Sequence, residues 1–433
     1  MMAQARSSAW GPLTSGSRVV VLGGGPAGTA CAIALKRFGA ERGCDVRVTL
    51  LESKEFVAER HFNACVGVVS PPLESLLEDD LGVPFPHHLS RSIIRTYVLH
   101  TDRASICLDD PHEPSVALRR VQLDGYMLDE AAKRGVEILH ARATDLEFHA
   151  DGVVVYTDAD PVEGDVVVGA FGLDEGTAAL FTRATGYRPP VSLSSIVTKI
   201  HPGPEMMEQI GNQLHVFIPP TRGIEFGAIT PKGNHLTFNI AGSDVDARLM
   251  RQFMALPTVR GVMNGIDLER PGEEGDLRFY KGHFPRSLAR RGFGDRYVTI
   301  GDAAGLVRAF KGKGITSAVQ TGIRAAHALL EAGVSESAFH QHYQAANQDI
   351  IGDLPYGQVM RWITIWLARS GLLNTVVRAA GGSPELRRAL FGAASGHAPY
   401  RQVLRDSLAP ASALAILSAF FGRPQTHAPD PSL

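Results

Sequence analysis

With 433 residues, 44% of them hydrophobic and 20% charged, the chain has the make-up of a soluble enzyme and the length of two or three domains. Its net charge of −2 gives no global attraction for nucleic acid, and its four cysteines, Cys31, Cys44, Cys65 and Cys107, have neither zinc nor redox spacing, so reduced thiols and no metal are expected. No run reaches the roughly 20 apolar residues of a membrane span, and residues 1–17 lack the apolar core of a secretory signal, which points to a cytoplasmic protein.

Residues 1–17, rich in Ser, Gly and Ala, read as a disordered arm. Residues 19–22 (VVVL) then form a short apolar run of the kind buried on both faces of a parallel sheet. Gly23, Gly25 and Gly28 follow in the pattern G-x-G-x-x-G. The first permits a tight turn, the second lets the backbone approach a pyrophosphate, and the third lets a helix pack on the strand. Pro26 and Ala27 open that helix, where a proline forfeits no hydrogen bond. Its N-terminus offers an anion unpaired N–H groups and a partial charge of about +0.5. A second apolar strand, 46–51, ends in Glu52, roughly 20 residues beyond the last glycine, where a carboxylate accepts from an adenosine ribose hydroxyl and repels a 2′-phosphate. The nucleotide expected is FAD or NAD rather than NADP.

A loop punctuated by Gly and Pro over 59–72 contains Cys65. Strand-like runs at 92–100 and 104–108 flank a turn at Asp102 and Arg103 and suit a second, antiparallel layer. From Arg119 a helix places Leu123, Met127, Leu128 and Ala131 on one face and stops at Gly135. Strands at 153–156 and 165–169 come next, the latter apolar enough to be central. Between 191 and 285, runs at 196–200, 214–218, 225–229 and 236–240, with a helix near 246–255, spell an antiparallel sheet inserted into the nucleotide fold. The expected division is therefore 18–90, 119–190 and 286–354 for the nucleotide domain, 91–118 and 191–285 for a substrate domain, and 355–433 for C-terminal helices. In that last region Val359, Trp362, Ile363, Trp366 and Leu367 share one helical face, and eight arginines against Glu385, Asp406 and Asp430 give a formal charge of +5. Packing against its own domain is the expected use of that face, with peripheral contact at a membrane surface or lining of the substrate site as the alternatives.

The α/β pattern resumes with a strand at 297–300, then Gly301, Asp302, Ala303, Ala304 and Gly305, then Gly312, Gly314 and Ile315 opening a helix with Ala318, Gly322, Ala325 and Ala326 at helical spacing. An aspartate at the end of a strand suits polyol hydroxyls, and a helix N-terminus suits negative charge developing on an aromatic ring. NAD needs neither feature. FAD needs both, for its ribityl chain and the N1/O2 edge of its reduced isoalloxazine, so FAD is the expected cofactor.

VVVLGGGPAG, the Arg120-x-x-Leu123-Asp124 helix start and GDAAG followed by GKGI resemble the FAD-dependent fold of p-hydroxybenzoate-hydroxylase-like enzymes, and most specifically the geranylgeranyl reductase family, from about residue 18 to about residue 330. The resemblance implies an α/β architecture: a Rossmann-type FAD-binding domain with an inserted antiparallel β-sheet substrate domain and C-terminal helices. It places Gly23, Gly25 and Gly28, with Pro26 and Ala27, at the pyrophosphate and Glu52 at the adenosine ribose. Arg120 falls beside the flavin, Asp302 next to Gly301 on the ribityl chain, and Gly312 to Ile315, including Gly314, at the pyrimidine edge. It further implies reduction of carbon–carbon double bonds in a small apolar, isoprenoid-like substrate. The hydride comes from reduced FAD, and the electrons come from transient NAD(P)H or an electron-transfer protein.

Cys65, in CVGVV, resembles the family's cysteine- and glycine-rich stretch near the flavin, and Cys65, Lys311 and Lys313 are the catalytic candidates. Cys65 is a proton donor or a small buried hydrophobe. The lysines favour anionic reduced flavin or hold a diphosphate, or they are a solvated pair. Phe171 stands where related hydroxylases carry an aspartate of their nicotinamide and flavin apparatus, which weighs against an NADPH-driven hydroxylase. The alternatives are a flavin monooxygenase of an apolar or aromatic metabolite and a non-catalytic flavin-binding protein. A halogenase is disfavoured because Gly-Trp-x-Trp-x-Ile-Pro is absent.

Overall fold

The computed structural model describes residues 10–56, 65–109, 114–264, 266, 277–308 and 314–421. The chain divides into two compact units, one drawn from Met1–Ile93, Glu113–Val197 and Tyr280–Leu354, the other from Ile94–His112, Thr198–Phe279 and Pro355–Leu433.

The first unit is organised by strands β1 (Arg18–Leu22), β2 (Arg47–Leu51), β3 (Glu137–Leu139), β4 (Val166–Gly169), β5 (Phe293–Gly294) and β6 (Tyr297–Thr299). They form one sheet in the order β5-β6-β4-β1-β2-β3, parallel throughout except for the β5–β6 edge pair. Val19 lies opposite both Val48 and Val166. Both faces of β1 are buried: Val19 and Val21 join a core with Ile33, Leu123 and Ile323, while Val20 and Leu22 join one with Val167, Phe181 and Tyr187. That two-sided burial is why the run carries no polar alternation. Because β2 lies on one side of β1 and β4 on the other, the strand order switches at β1, and its carboxyl end is where open α/β sheets take their ligands.

Helices α1 (Pro26–Glu41), α2 (Arg120–Lys133) and α3 (Gly314–Glu331) belong to this unit. On α2 the expected face, Leu123, Met127, Leu128 and Ala131, is buried. Helix α3 passes so close to α1 that a Cβ on Gly322 would stand 2.4 Å from the Ala27 carbonyl oxygen and 2.9 Å from Cys31 N. The arm expected over 1–17 is corrected for residues 10–17. Leu13 is buried and donates its N–H to Leu329 O at 3.0 Å, Gly16 N–H donates to Asp45 O at 2.8 Å, and the Arg296 guanidinium lies 4.6 Å from the Trp10 ring centroid. Two large apolar side chains are enough to anchor a stretch whose average composition is small and polar.

In the second unit, Thr96–His100, Ser105–Asp109, Gln213–Phe217, Phe226–Lys232 and His235–Gly242 form sheet neighbours. Their pairings are antiparallel except that Gln213–Phe217 runs parallel to Thr96–His100. The expected turn at Asp102 and Arg103 is closed by Thr101 N–H donating to Ala104 O at 2.8 Å. The helix Ala247–Met254 packs Phe253 against Phe217, and Gly227 supplies the room: a Cβ there would meet the Phe253 ring at 2.4 Å.

The C-terminal segment is helical, beginning with α4 (Leu354–Arg369) and ending in α5 (Pro410–Phe421). The expectation that the Val359–Trp362–Trp366 face packs inward is overturned, since these residues are 49%, 68% and 52% exposed. The opposite face is the buried one. Gly357 lies against the Tyr400 ring, Met360 and Ala368 are buried, and Arg361 makes a two-pronged ion pair with the buried Glu225 carboxylate.

Candidate functional site

The glycine turn is shaped by close approach. Gly23 has φ +116° and donates its N–H to Leu51 O at 2.9 Å, and a Cβ on it would sit 2.5 Å from Ala170 O. A Cβ on Gly28 would sit 1.9 Å from Gly23 O, so α1 could not approach the turn with any larger residue there. Gly25 caps α1 in an extended conformation, and no side chain among the described residues caps the first turn. The N–H groups of Pro26–Glu41's opening turn therefore keep their capacity for an anion.

Glu52 does more than sit at the end of β2. Its Oε2 accepts from Gly24 N–H at 2.8 Å and its Oε1 from Lys54 N–H at 2.9 Å, so the carboxylate braces the turn. An ionised carboxylate has about four lone-pair sites, which leaves acceptor capacity for ribose hydroxyls.

Helix α2 and the turn after β6 bring further charge to this end of the sheet. Arg120, at the first turn of α2, donates from Nε to Asp124 Oδ1 at 2.5 Å, and both side chains are largely buried. Burial opposes the guanidinium charge, but Asp124, Cys65 and Asp302 hold Arg120 protonated above its ordinary range. Burial likewise raises the Asp124 carboxyl, with Arg120 pulling the other way. A Cβ on Gly25 would stand 3.6 Å from Arg120 Nη2, so the arginine faces the second glycine of the turn. Asp302 follows β6, and burial pushes its carboxyl up to about 6 against the opposing pull of Arg120. Gly301, at φ +60°, donates its N–H to Thr321 Oγ1 at 3.0 Å, and a Cβ on it would meet the Ala27 Cβ at 2.9 Å. Gly314 lies beside the Asp302 carboxylate and Ile315 is buried. Cys65 is half-buried, its Sγ accepting from Gly67 N–H at 3.3 Å.

Thus Gly23, Gly25, Pro26, Ala27, Gly28, Glu52, Cys65, Arg120, Gly301, Asp302, Gly314 and Ile315 meet at the carboxyl ends of β1, β2 and β6. Lys311, Gly312 and Lys313 lie outside the described residues. The described set fits a flavin dinucleotide. It offers a turn that tolerates only glycine, an uncapped helix start, a carboxylate with spare lone pairs, a fixed cation and a half-buried aspartate.

The sequence reading named Asp124 only as part of a motif, and its pairing with Arg120 is signalled by the i, i+4 spacing. Thr321, holding Gly301, has no local signal. Phe171 is part of the core, its ring centroid 5.0 Å from that of Phe181 and 5.9 Å from that of Tyr187. In the second unit, Thr230 and Thr237 face each other across paired strands, with Asn239 two residues along on the same face. All three are buried with side-chain oxygens that lack partners among the described residues. Their alternation with Leu236, Phe238 and Ile240 is the signal that could have revealed this polar face.

No family model matches the chain. In sequence it is similar to the chloroplastic geranylgeranyl diphosphate reductase of Nicotiana tabacum, at 25% identity over 336 residues covering 72% of this chain and 66% of that protein. The chain therefore spans just under two thirds of the length of that curated relative. In fold it is similar to a geranylgeranyl bacteriochlorophyll reductase-like protein from Thermoplasma acidophilum, with a TM-score of 0.69 at 15% identity over 94% of this chain and 99% of that one. It is also similar to a variant of the halogenase PltM in complex with FAD, with a TM-score of 0.62 at 15% identity over 92% of this chain and 87% of that one. At such identities the structural likeness is one of fold alone.

Proposed function

We propose, from the premise that this chain belongs to the geranylgeranyl reductase family, that it is an FAD-dependent oxidoreductase reducing carbon–carbon double bonds in an apolar, isoprenoid-like substrate. The observation that carries the reading is the convergence of Gly25, Arg120 and Asp302 at the carboxyl end of the parallel sheet. Bound and reduced FAD would supply the hydride.

The chain's own residues have separable tasks. The opening turn of α1 holds the pyrophosphate through backbone N–H groups. Glu52 accepts from the adenosine ribose on lone pairs that Gly24 and Lys54 leave open. Asp302 would accept from the ribityl chain, and Arg120, pinned by Asp124 and facing Gly25, would keep a fixed positive charge beside the dinucleotide. To Cys65, close enough to act electrostatically on that arginine, we assign the proton that completes reduction of a double bond. Lys311 and Lys313 are assigned to an anionic head group of the substrate, and transient NAD(P)H or an electron-transfer protein to the supply of electrons.

The test is anaerobic. Protein loaded with FAD, reduced with dithionite and mixed with geranylgeranyl diphosphate should be reoxidised as the alkene is reduced. Cys65→Ala should slow that step by about 10²-fold or more, as loss of a positioned proton donor does, while keeping FAD bound. Flavin that is never taken up, or that reoxidises only with oxygen, would overturn the reading. The fold shared with a halogenase favours a second reading, a monooxygenase, which predicts oxygen uptake coupled to NAD(P)H and substrate.

A further inference from the structure

The second unit turns an unusual amount of apolar surface to solvent. On α4, Tyr356, Val359, Trp362 and Trp366 recur at helical spacing and are 39%, 49%, 68% and 52% exposed. On α5, Leu414, Leu417 and Phe420 are 68%, 55% and 50% exposed, just after Leu408 at 77%. No charged residue interrupts α5. Single exposed apolar residues need no explanation, but rows of them on two helices mark a surface made to be covered.

The charge of the segment that carries these rows says what covers them. Between residues 355 and 421 the cations are seven arginines and the acids are Glu385 and Asp406 alone, a formal charge of +5. Arg361, Arg388 and Arg405 are paired with Glu225, Glu385 and Asp406 and Arg387 donates to Cys107 O, whereas Arg369 is exposed one turn beyond Trp366. Tryptophan and arginine beside an aliphatic row suit the headgroup level of a bilayer, where the indole sits at the interface and the guanidinium meets lipid phosphate. No single helix among the described residues is long and apolar enough to cross a membrane, and the helix pair Tyr400–Ser407 and Pro410–Phe420 that passes together by length and composition is bent by 55°. The 12 residues of α5 reach about 18 Å, well short of a hydrocarbon core of about 30 Å.

We infer that the C-terminal helices dock this protein on the surface of an anionic lipid bilayer, with Trp362 and Trp366 of α4 and Leu414, Leu417 and Phe420 of α5 entering the headgroup region. This is independent of the proposed reaction, because docking requires no flavin turnover.

The chain has three tryptophans, and the third, Trp10, lies in the first unit against Arg296. A full-length Trp10→Phe variant therefore reports α4 alone by fluorescence. Mixed with vesicles of equal parts phosphatidylcholine and phosphatidylglycerol whose acyl chains are brominated near the headgroup, it should be quenched. Quenching should weaken with added salt and disappear on pure phosphatidylcholine. Trp362→Ser with Trp366→Ser, and separately Leu414→Ser with Leu417→Ser, should each lower co-sedimentation with these vesicles by about tenfold or more while leaving the melting temperature unchanged. Absence of quenching and of co-sedimentation overturns the inference. So does a dimer in sedimentation velocity that the tryptophan substitutions abolish without any lipid effect, which would assign the face to a second copy of the chain.

Discussion

The residues around Arg120 trade stability for charge. In an unfolded chain an aspartate titrates near 4, whereas burial holds Asp302 near 6 in the folded protein. Between those values the folded state binds more protons, so stability falls as pH rises through the window and stays reduced above it. Two units correspond to about 3 kcal/mol. Asp302→Asn keeps the shape without the charge. Its apoprotein should therefore resist urea by about 3 kcal/mol more than the parent at neutral pH and be level with it below pH 4 or so. A difference that did not change with pH would mean that Arg120 already compensates the carboxylate in full. Asp302 and Glu52 were legible in the sequence because each ends an apolar run at a fixed distance from glycines. That Glu52 also braces Gly24, and that Asp124 pins Arg120, was not, since a spacing names neighbours without saying which hydrogen bonds they choose.

At the scale of elements, the α1–α3 crossing fixes both the phosphate-facing turn and the Asp302 loop, because Ala27 is pressed by Gly301 and its carbonyl by Gly322. Gly322→Val must push the helices apart against backbone atoms, and should cost about 1–3 kcal/mol in urea unfolding and weaken flavin retention. Gly261→Ala is the control: nothing lies within 4 Å of a Cβ there, in the helix Pro257–Val262, so it should be neutral or stabilising by up to about 1 kcal/mol. Equal effects of the two substitutions would show that helix propensity, not the crossing, matters at Gly322. Small residues at helical spacing made this crossing readable. The orientation of α4 was not readable, because periodicity tells which residues share a face but not which way the face points. Here the Arg361–Glu225 pair and the Gly357–Tyr400 contact decide it, and both join residues far apart in sequence.

For the whole molecule, the buried Asp302 of the first unit and a buried histidine pair of the second respond to acid in opposite senses. In the second, His100 Nε2 and His215 Nδ1 lie 2.9 Å apart and buried, and burial lowers His100 to about 4 and His215 to about 3, the latter with a contribution from His100. Both are neutral when folded and would charge near 6.5 when unfolded. The unfolded state therefore binds more protons between about 6.5 and 3, and the pair's contribution, on the order of 3 kcal/mol or more for each histidine, is present above that window and lost as pH falls through it. Amide protection in Thr96–His100 and Gln213–Phe217 should drop over this range, with a slope that His215→Asn roughly halves. A flat profile would deny the pair any such role. The same unit takes its parts from Ile94–His112, Thr198–Phe279 and Pro355–Leu433, while the first unit has its last part by Leu354. A ribosome thus finishes the nucleotide-holding half first, and the other half trails behind as strands with open edges until its closing helices emerge. During synthesis that interval is when the nascent polypeptide most needs a chaperone, or slow neighbours, to keep those edges from pairing with another copy.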